Sequence, residues 1–217
     1  MFLPYSNTIF SSPAPKTKAA YGKYFQEAFL PRLIQNGTVS KGALYEIIPN
    51  PMGRPAPDAS TFLALLESKS LQCLQKSDLA EASGHGVSSL DRRIYRWIET
   101  PSAANILLDI PGPYILQAEA EPADIEEYVT FYREDHAPMM AKHPGYLRTT
   151  LYQLESVQEG QDEIPSSLMI VHEFLSFERL GSQITKDSTE TVFARRVFGR
   201  VKSMKARTMK LVCSEGY

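Results

Sequence analysis

The chain is predicted to be an α+β protein in which one strand–helix–strand–strand–helix–strand unit is built twice. Three observations carry this reading. Tyr24-Phe25-Gln26-Glu27, followed by Pro31, is echoed by Phe131-Tyr132-Arg133-Glu134, followed by Pro138. Leu44-Tyr45-Glu46-Ile47 is echoed at the same offset by Leu151-Tyr152-Gln153-Leu154, and Tyr21 by Tyr128. Each copy alternates segments of helical period with short apolar runs of strand length. Self-similarity at about half the chain means one folding unit used twice, each copy covering the other's apolar face. One mismatch is informative: Phe29 corresponds to His136, so the copies share a scaffold but not a chemistry.

The second copy is the clearer. A strand over 114–120 leads to Pro122, which opens a helix whose amino end Asp124 and Glu127 stabilise. Ile125, Tyr128, Val129, Tyr132, His136 and Met140 recur three or four residues apart and give that helix one inward face. Gly145, after His143-Pro144, ends it. A strand over 146–154 and an acidic loop over 155–165 follow. Leu168–Phe174 is apolar at nearly every position and is expected to be covered on both faces. A helix around 190–204 and a strand over 207–213 complete the copy.

The first copy follows the same order, with Ile9 in the place of Leu116. It has a helix over 18–35, strands over 39–48 and 61–67 around a Pro-rich segment at 49–57, a helix over 71–82 and a strand over 93–98. The boundaries drawn are 1–100 for an N-terminal, structural repeat, 101–113 for a linker, and 114–217 for a C-terminal repeat carrying the site.

Composition narrows the function classes. The apolar fraction is 43%, the charged fraction 22% and the net charge −2, so nothing favours nucleic acid or an anionic membrane as partner. The basic run Arg195, Arg196, Arg200, Lys202, Lys205, Arg207 and Lys210 alternates with apolar residues at helical spacing and reads as a solvated helix face. Cys73 and Cys213 provide neither metal spacing nor a disulfide framework and suit buried thiols. Residues 1–7 lack a secretory leader, and no apolar run is long enough to span a bilayer. The expectation is a soluble, cytoplasmic protein with a small-molecule substrate, no nucleic-acid or membrane partner and no cofactor or metal.

Residues Phe131-Tyr132-Arg133-Glu134-Asp135-His136-Ala137-Pro138, continuing to His143-Pro144-Gly145-Tyr146-Leu147-Arg148-Thr149-Thr150, resemble the EthD-like group of the dimeric α/β barrel superfamily. They are closest to its tandem fungal members, in which two ferredoxin-like repeats are fused. The resemblance implies an intramolecular dimeric α/β barrel and a cofactor-free small-molecule enzyme, often of aromatic polyketide metabolism, with a catalytic or substrate-contacting histidine at His136. Its relatives include decarboxylases, dehydratases, cyclases, isomerases and cofactor-independent monooxygenases, so reaction type does not follow from fold.

The residues support a proton-transfer site on their own account. An imidazole titrates near neutrality and can take a proton from a phenol or an activated carbon. Tyr132 and Tyr128 lie one and two turns before His136 on one helix face. Pro138 cannot donate to the helical ladder, so the turn around His136 should be distorted. His172 interrupts an apolar strand and is a second proton-transfer candidate or, equally, a core histidine. Arg148 is able to hold a carboxylate or enolate, its bland alternative being a surface ion pair with Glu134 or Asp135. Tyr152 shares a strand face with Arg148, although Tyr45 in the equivalent place points to packing. Catalytic roles are thus expected for His136, Tyr132 and His172, and substrate contacts for Tyr128, Arg148, Met140 and Tyr152.

Other histidines are weaker. His143 suits a capping or exposed role at a helix end, and His85 a surface loop. His136 and His143 are about 10 Å apart along an ideal helix, too far to share one ion. A phosphate loop, a dinucleotide fingerprint and a nucleophilic-serine elbow are all missing. The function expected is an isomerase, cyclase or lyase working on a polyketide-like or polyphenolic molecule. Alternatives are a cofactor-free monooxygenase and a non-catalytic binding protein. The fused copies make a pseudo-dimer within one chain, with further pairing into a homodimer left open.

Overall fold

The structure, a computed structural model, describes residues 3–53, 61–71, 74–103, 110–157 and 165–217, with 102 and 103 described by backbone alone. Cys73 and parts of the Pro-rich segment, the linker and the acidic loop lie outside the described residues. The first half contains β1 (Tyr5–Pro13), α1 (Lys18–Tyr24), a π-helical turn (Phe25–Phe29), α2 (Leu30–Gln35), β2 (Lys41–Ile48), β3 (Phe62–Ser68), α3 (Lys76–Ser83) and β4 (Val87–Ala103). The second contains β5 (Tyr114–Pro122), α4 (Ile125–Phe131), a π-helical turn (Tyr132–His136), α5 (Ala137–Met140), β6 (Tyr146–Val157), β7 (Leu168–Phe174), α6 (Gln183–Glu190), α7 (Val192–Phe198) and β8 (Val201–Glu215).

The eight strands close into one antiparallel barrel in the order β1-β3-β2-β8-β5-β7-β6-β4, with β4 returning to β1. Each half supplies its strands in the same relative order, and the halves join along β2–β8 and β4–β6. Closure leaves no strand edge to blunt. The two apolar sheet faces therefore do not stack as separate sheets; together they enclose one interior.

Alternation along each strand sends every second side chain inward. Phe10, Ala43, Tyr45, Leu63, Tyr95, Ile115, Tyr152, Met169, Val171 and Met209, drawn from both halves, form the barrel core. The outward residues pack under helices. Phe25, Phe29, Leu33, Leu44 and Leu66 cluster in the first half, and Tyr128, Phe131, Tyr132, Leu151 and Ile170 in the second. All seven residues of β7 are buried, as expected for a strand between barrel core and helix layer.

Several boundaries differ from expectation. Pro122 is the last residue of β5, and Asp124 caps α4 by accepting a hydrogen bond from the Glu127 N–H at 3.0 Å. The helix expected around 190–204 is two short helices broken at Thr191, and β8 already begins at Val201. Lys202, Lys205, Arg207 and Lys210 consequently lie on a strand. Arg207 is 2% exposed, pointing into the barrel against Glu119 at 2.8 Å. A strand period of two sends alternate residues of such a run inside, which a helical reading misses. The strand pairing puts Asn7 opposite Leu66 and Leu116 opposite His172, so Asn7, not Ile9, occupies Leu116's place.

Candidate functional site

The helix that carries the stripe of tyrosines is locally widened. The Ala137 N–H bonds to the Tyr132 carbonyl five residues back, as the Leu30 N–H does to Phe25 in the first half. A proline follows each widened turn, at Pro138 and Pro31. It brings no N–H to the ladder, and its ring crowds the carbonyl four residues before it. A turn with one extra residue relieves that crowding, and such turns recur at functional sites. The distortion expected around His136 is present.

The turn places Tyr132, His136 and, from β7, His172 in one cluster. Ring centroids are 4.7 Å apart for Tyr132–His136, 5.8 Å for Tyr132–His172 and 5.5 Å for His136–His172, the imidazoles meeting edge to face. Tyr128 stands 5.2 Å from Tyr132, and Phe131 and Phe198 close the aromatic wall around His136. His136 is 5% exposed and His172 3%.

Each imidazole is anchored through Nδ1. His136 Nδ1 lies 2.9 Å from the Ser188 carbonyl oxygen. That carbonyl sits in the last turn of α6, where helical carbonyls lack intrahelical partners. Thr191, extended at φ −60° and ψ 160°, ends α6 and caps α7 by accepting from the Ala194 N–H. The Thr191 hydroxyl also donates to Asp135, the neighbour of His136, so the α6–α7 corner is stapled to the π-helical turn. Ser188 Oγ reaches the sulfur of Met140 at 3.4 Å. His172 Nδ1 lies 2.7 Å from Thr149 Oγ1, and Tyr146 donates its phenolic hydrogen to that same Oγ1 at 2.7 Å.

The first half shows these positions occupied without polar side chains. Helix and β2 positions correspond at an offset of 107, and strand pairing matches Leu66 opposite Gly42 with His172 opposite Thr149. Tyr132, His136, His172, Thr149 and Tyr146 are thus answered by Phe25, Phe29, Leu66, Gly42 and Val39. All but Gly42 belong to the first half's apolar cluster. A Cβ at Gly42 would come within 2.7 Å of the Leu66 side chain, so the small residue makes room for the leucine. Thr149, Tyr146 and Ser188 escaped the sequence reading. Comparing copies for polar-against-apolar mismatches, the signal that singled out His136, also marks Thr149 and Tyr146.

Arg148 and Tyr152 do not join the cluster. Neighbours along a strand face opposite ways. While Thr149 faces the helices, Arg148 faces the barrel interior and grips Glu173 through Nε (2.6 Å) and an Nη (3.1 Å). The Gly112 N–H also donates to Glu173 at 2.6 Å. The surface pair with Glu134 or Asp135 is therefore corrected to a buried pair with Glu173. Lys41–Glu67, at 3.2 Å, is its counterpart in the first half. Tyr152 and Tyr45 both belong to the barrel core, matching the packing explanation.

His143 is not exposed: 3% of its surface remains, its Nδ1 meets the Pro144 carbonyl at 2.7 Å and its ring edge meets Phe174. His85 lies on the surface, stacked on Tyr24 at 3.5 Å. Among the described residues no group of three or more His, Cys, Asp and Glu side chains is disposed to hold a metal ion, and no helix is long and apolar enough to cross a membrane. A cavity of about 780 Å³ opens between α3 and β4, lined by Leu74, Leu79, Leu90, Arg92 and Ile94 among others and by none of the candidate site residues.

Burial sets the protonation of the cluster. It holds His136 below its ordinary value of 6.5, against the opposing pull of the Ser188 carbonyl and Asp135. Burial, reinforced by His136, holds His172 well below that value. Burial also raises the Tyr132 phenol well above 10 and pushes Tyr128 up to about 12. At neutral pH the site is thus two uncharged imidazoles beside two phenols, a set able to accept, hold and return a proton without a permanent buried charge.

No family model matches the chain, and no curated protein matches it. Solved structures do. An anthrone oxidase-like protein shares 12% identity at a TM-score of 0.59, covering 97% of this chain and 92% of its own. A Fusobacterium nucleatum protein provisionally named a monooxygenase shares 9% at 0.62, covering 99% and 94%. A chlorite dismutase from Candidatus Nitrospira defluvii, solved with cyanide, shares 12% at 0.57, covering 96% and 91%. At these identities the likeness is one of fold: an α+β architecture built on a closed barrel of eight antiparallel strands.

Proposed function

We propose that the chain is an enzyme acting by proton transfer on a polyphenolic or polyketide-like small molecule, with His136 and His172 as the acid/base pair. Tyr132 is the third catalytic group, and Tyr128 and Met140 are substrate contacts. On this reading the halves are fused ferredoxin-like repeats of EthD-like type; residues 114–217 carry the site and residues 1–100 serve as its structural partner. The observation behind it is the one-sided polar layer. Five positions that are Phe, Phe, Leu, Gly and Val in the first half are Tyr, His, His, Thr and Tyr in the second. Packing alone does not ask for this, since the apolar set fills the same frame, and buried imidazoles weaken a fold.

Removal of a proton from a phenol or acidic carbon leaves a delocalised anion. Returned elsewhere, the proton completes an isomerisation or ring closure; returned to a ring carbon that bears a carboxylate, it lets carbon dioxide leave with the ring taking back the bonding pair, which is decarboxylation. None of these steps asks for a redox centre. A second reading shares the first step: the electron-rich anion passes an electron to dioxygen and is oxidised. It is favoured by structural neighbours named anthrone oxidase-like and monooxygenase.

Anthrone itself is a suitable probe, having an acidic methylene conjugated to a carbonyl. Deuterium exchange at that methylene under nitrogen reads proton abstraction. Oxygen uptake in air, one dioxygen consumed and one water released per anthraquinone formed, reads oxidation. The proposal expects at least one rate to collapse in His136→Phe. No rate above background for either protein in both assays would leave a non-catalytic binding protein, and equal measurable rates would remove His136 from the mechanism.

A further inference from the structure

We infer that the two imidazoles are held in opposite tautomers, His136 with its lone pair on Nε2 and His172 with a hydrogen on Nε2, and that Thr149 and Tyr146 are the positioning residues that hold His172 so. The inference deepens the proton-transfer reading above and rests on it for its functional meaning.

A carbonyl oxygen only accepts, so the 2.9 Å contact between His136 Nδ1 and the Ser188 oxygen requires the hydrogen on Nδ1. In a neutral imidazole that leaves Nε2 as a base. For His172 the chain of bonds runs the other way. Thr149 Oγ1 accepts from Tyr146, and the acceptor that stands before the threonine's own hydrogen is His172 Nδ1, 2.7 Å away. Nδ1 then accepts, and the ring hydrogen resides on Nε2. Neither Nε2 has a hydrogen-bond partner among the described residues. A neutral imidazole offers one donor and one acceptor, and the two sets of bonds leave the two Nε2 atoms with opposite characters, an acceptor on His136 and a donor on His172.

This pairing narrows the substrate class to molecules with an acidic C–H or O–H conjugated to a carbonyl oxygen, such as enolisable aryl ketones. His136 Nε2 takes the proton; the bond's electron pair stays on the substrate and collects on the oxygen, where the His172 Nε2–H donates to it. Return of the proton from His136 to a different atom restores both rings, with nothing gained or lost.

The test reads tautomers directly. Long-range proton–nitrogen correlation spectra of the full-length, nitrogen-15-labelled chain near neutral pH distinguish protonated from bare ring nitrogens. The expected result is a bare Nε2 on His136 and a bare Nδ1 on His172. Thr149→Val, similar in shape but without the hydroxyl, should convert His172 to a mixture of tautomers and leave His136 unchanged. Tyr146→Phe, which keeps the ring, should move His172 the same way and serves if Thr149→Val does not fold. On anthrone, Thr149→Val should lower kcat tenfold or more with KM little changed, as a misheld tautomer does. Identical tautomers in the two rings, or a His172 spectrum unmoved by both variants, would overturn the assignment. Opposite tautomers in a chain inert toward anthrone would instead sink the proposed function and leave the assignment standing.

Discussion

Phe29 and His136 each close a π-helical turn two residues ahead of a proline, and each is buried at the same level of its own helix layer. The two turns therefore share a frame and differ in the side chain that closes it. The first half serves as an internal control for every substitution in the second.

His136→Phe should fold, because a benzyl group already fills the equivalent place. Its urea midpoint is expected within the range of the unmodified chain or above it, since a buried polar ring is removed. Turnover of anthrone should fall by about 10² to 10⁴, the range for loss of a positioned acid/base group. Paired denaturation and rate measurements check both.

Stability should depend on pH through the two imidazoles. Both bind a proton less readily folded than unfolded. Their contribution is thus complete above the unfolded value near 6.5 and is lost as pH falls from there toward the folded values. Each contributes a slope of up to about 1.4 kcal/mol per pH unit in that window. His172→Leu, which copies Leu66 of the first half, should flatten the curve below pH 6.5 in urea titrations; an unchanged slope would mean that His172 binds protons alike in the folded and unfolded chain.

Arg148→Met should destabilise the chain by about 3 kcal/mol by leaving the Glu173 carboxylate in the barrel without its cation. Adding Glu173→Gln should recover much of that loss. Per folded molecule, anthrone turnover should stay near that of the unmodified chain, because Arg148 faces the opposite side of the sheet from the histidines. Denaturant midpoints of the single and double variants, with rates normalised to folded protein, test this.

Thr191→Ala removes the cap of α7 and the bond to Asp135 together. A loss of about 1 kcal/mol is expected from the cap alone. The freed α6–α7 corner should also weaken the Ser188 hold on His136, so kcat should fall while the far-ultraviolet spectrum is retained.

Much of the fold was legible because its signals are local. The Leu168–Phe174 strand matched residue for residue, the first helix of the N-terminal half was found over 18–35, and Pro138 announced the distorted turn at His136. The C-terminal basic run was misread for an equally local reason. Charges alternating with apolar residues satisfy both a helical and a strand period over a short window, and only the partner strand β5 decides between them. Within the site, His136, Tyr132 and Tyr128 were visible as a stripe on one helix. Thr149, Tyr146 and Ser188 were not, since Thr149 and Ser188 each act through a bond to an element distant in the chain, and Tyr146 acts through Thr149.

Sequence alone gave the α+β class, the internal echo at an offset of 107, and an imidazole in one half where the other has a phenyl ring. Those features follow from periodicity and from self-comparison, which need no third dimension. Tertiary structure decided which candidates meet. It sent Arg148 and Tyr152 into the barrel and brought His172 across to His136, because neighbours on a strand face opposite ways and only barrel closure fixes which way is inside. It also supplied the Ser188 carbonyl and the Tyr146–Thr149 pair that orient the two rings, contacts between residues 52 and 23 positions apart that no local pattern encodes.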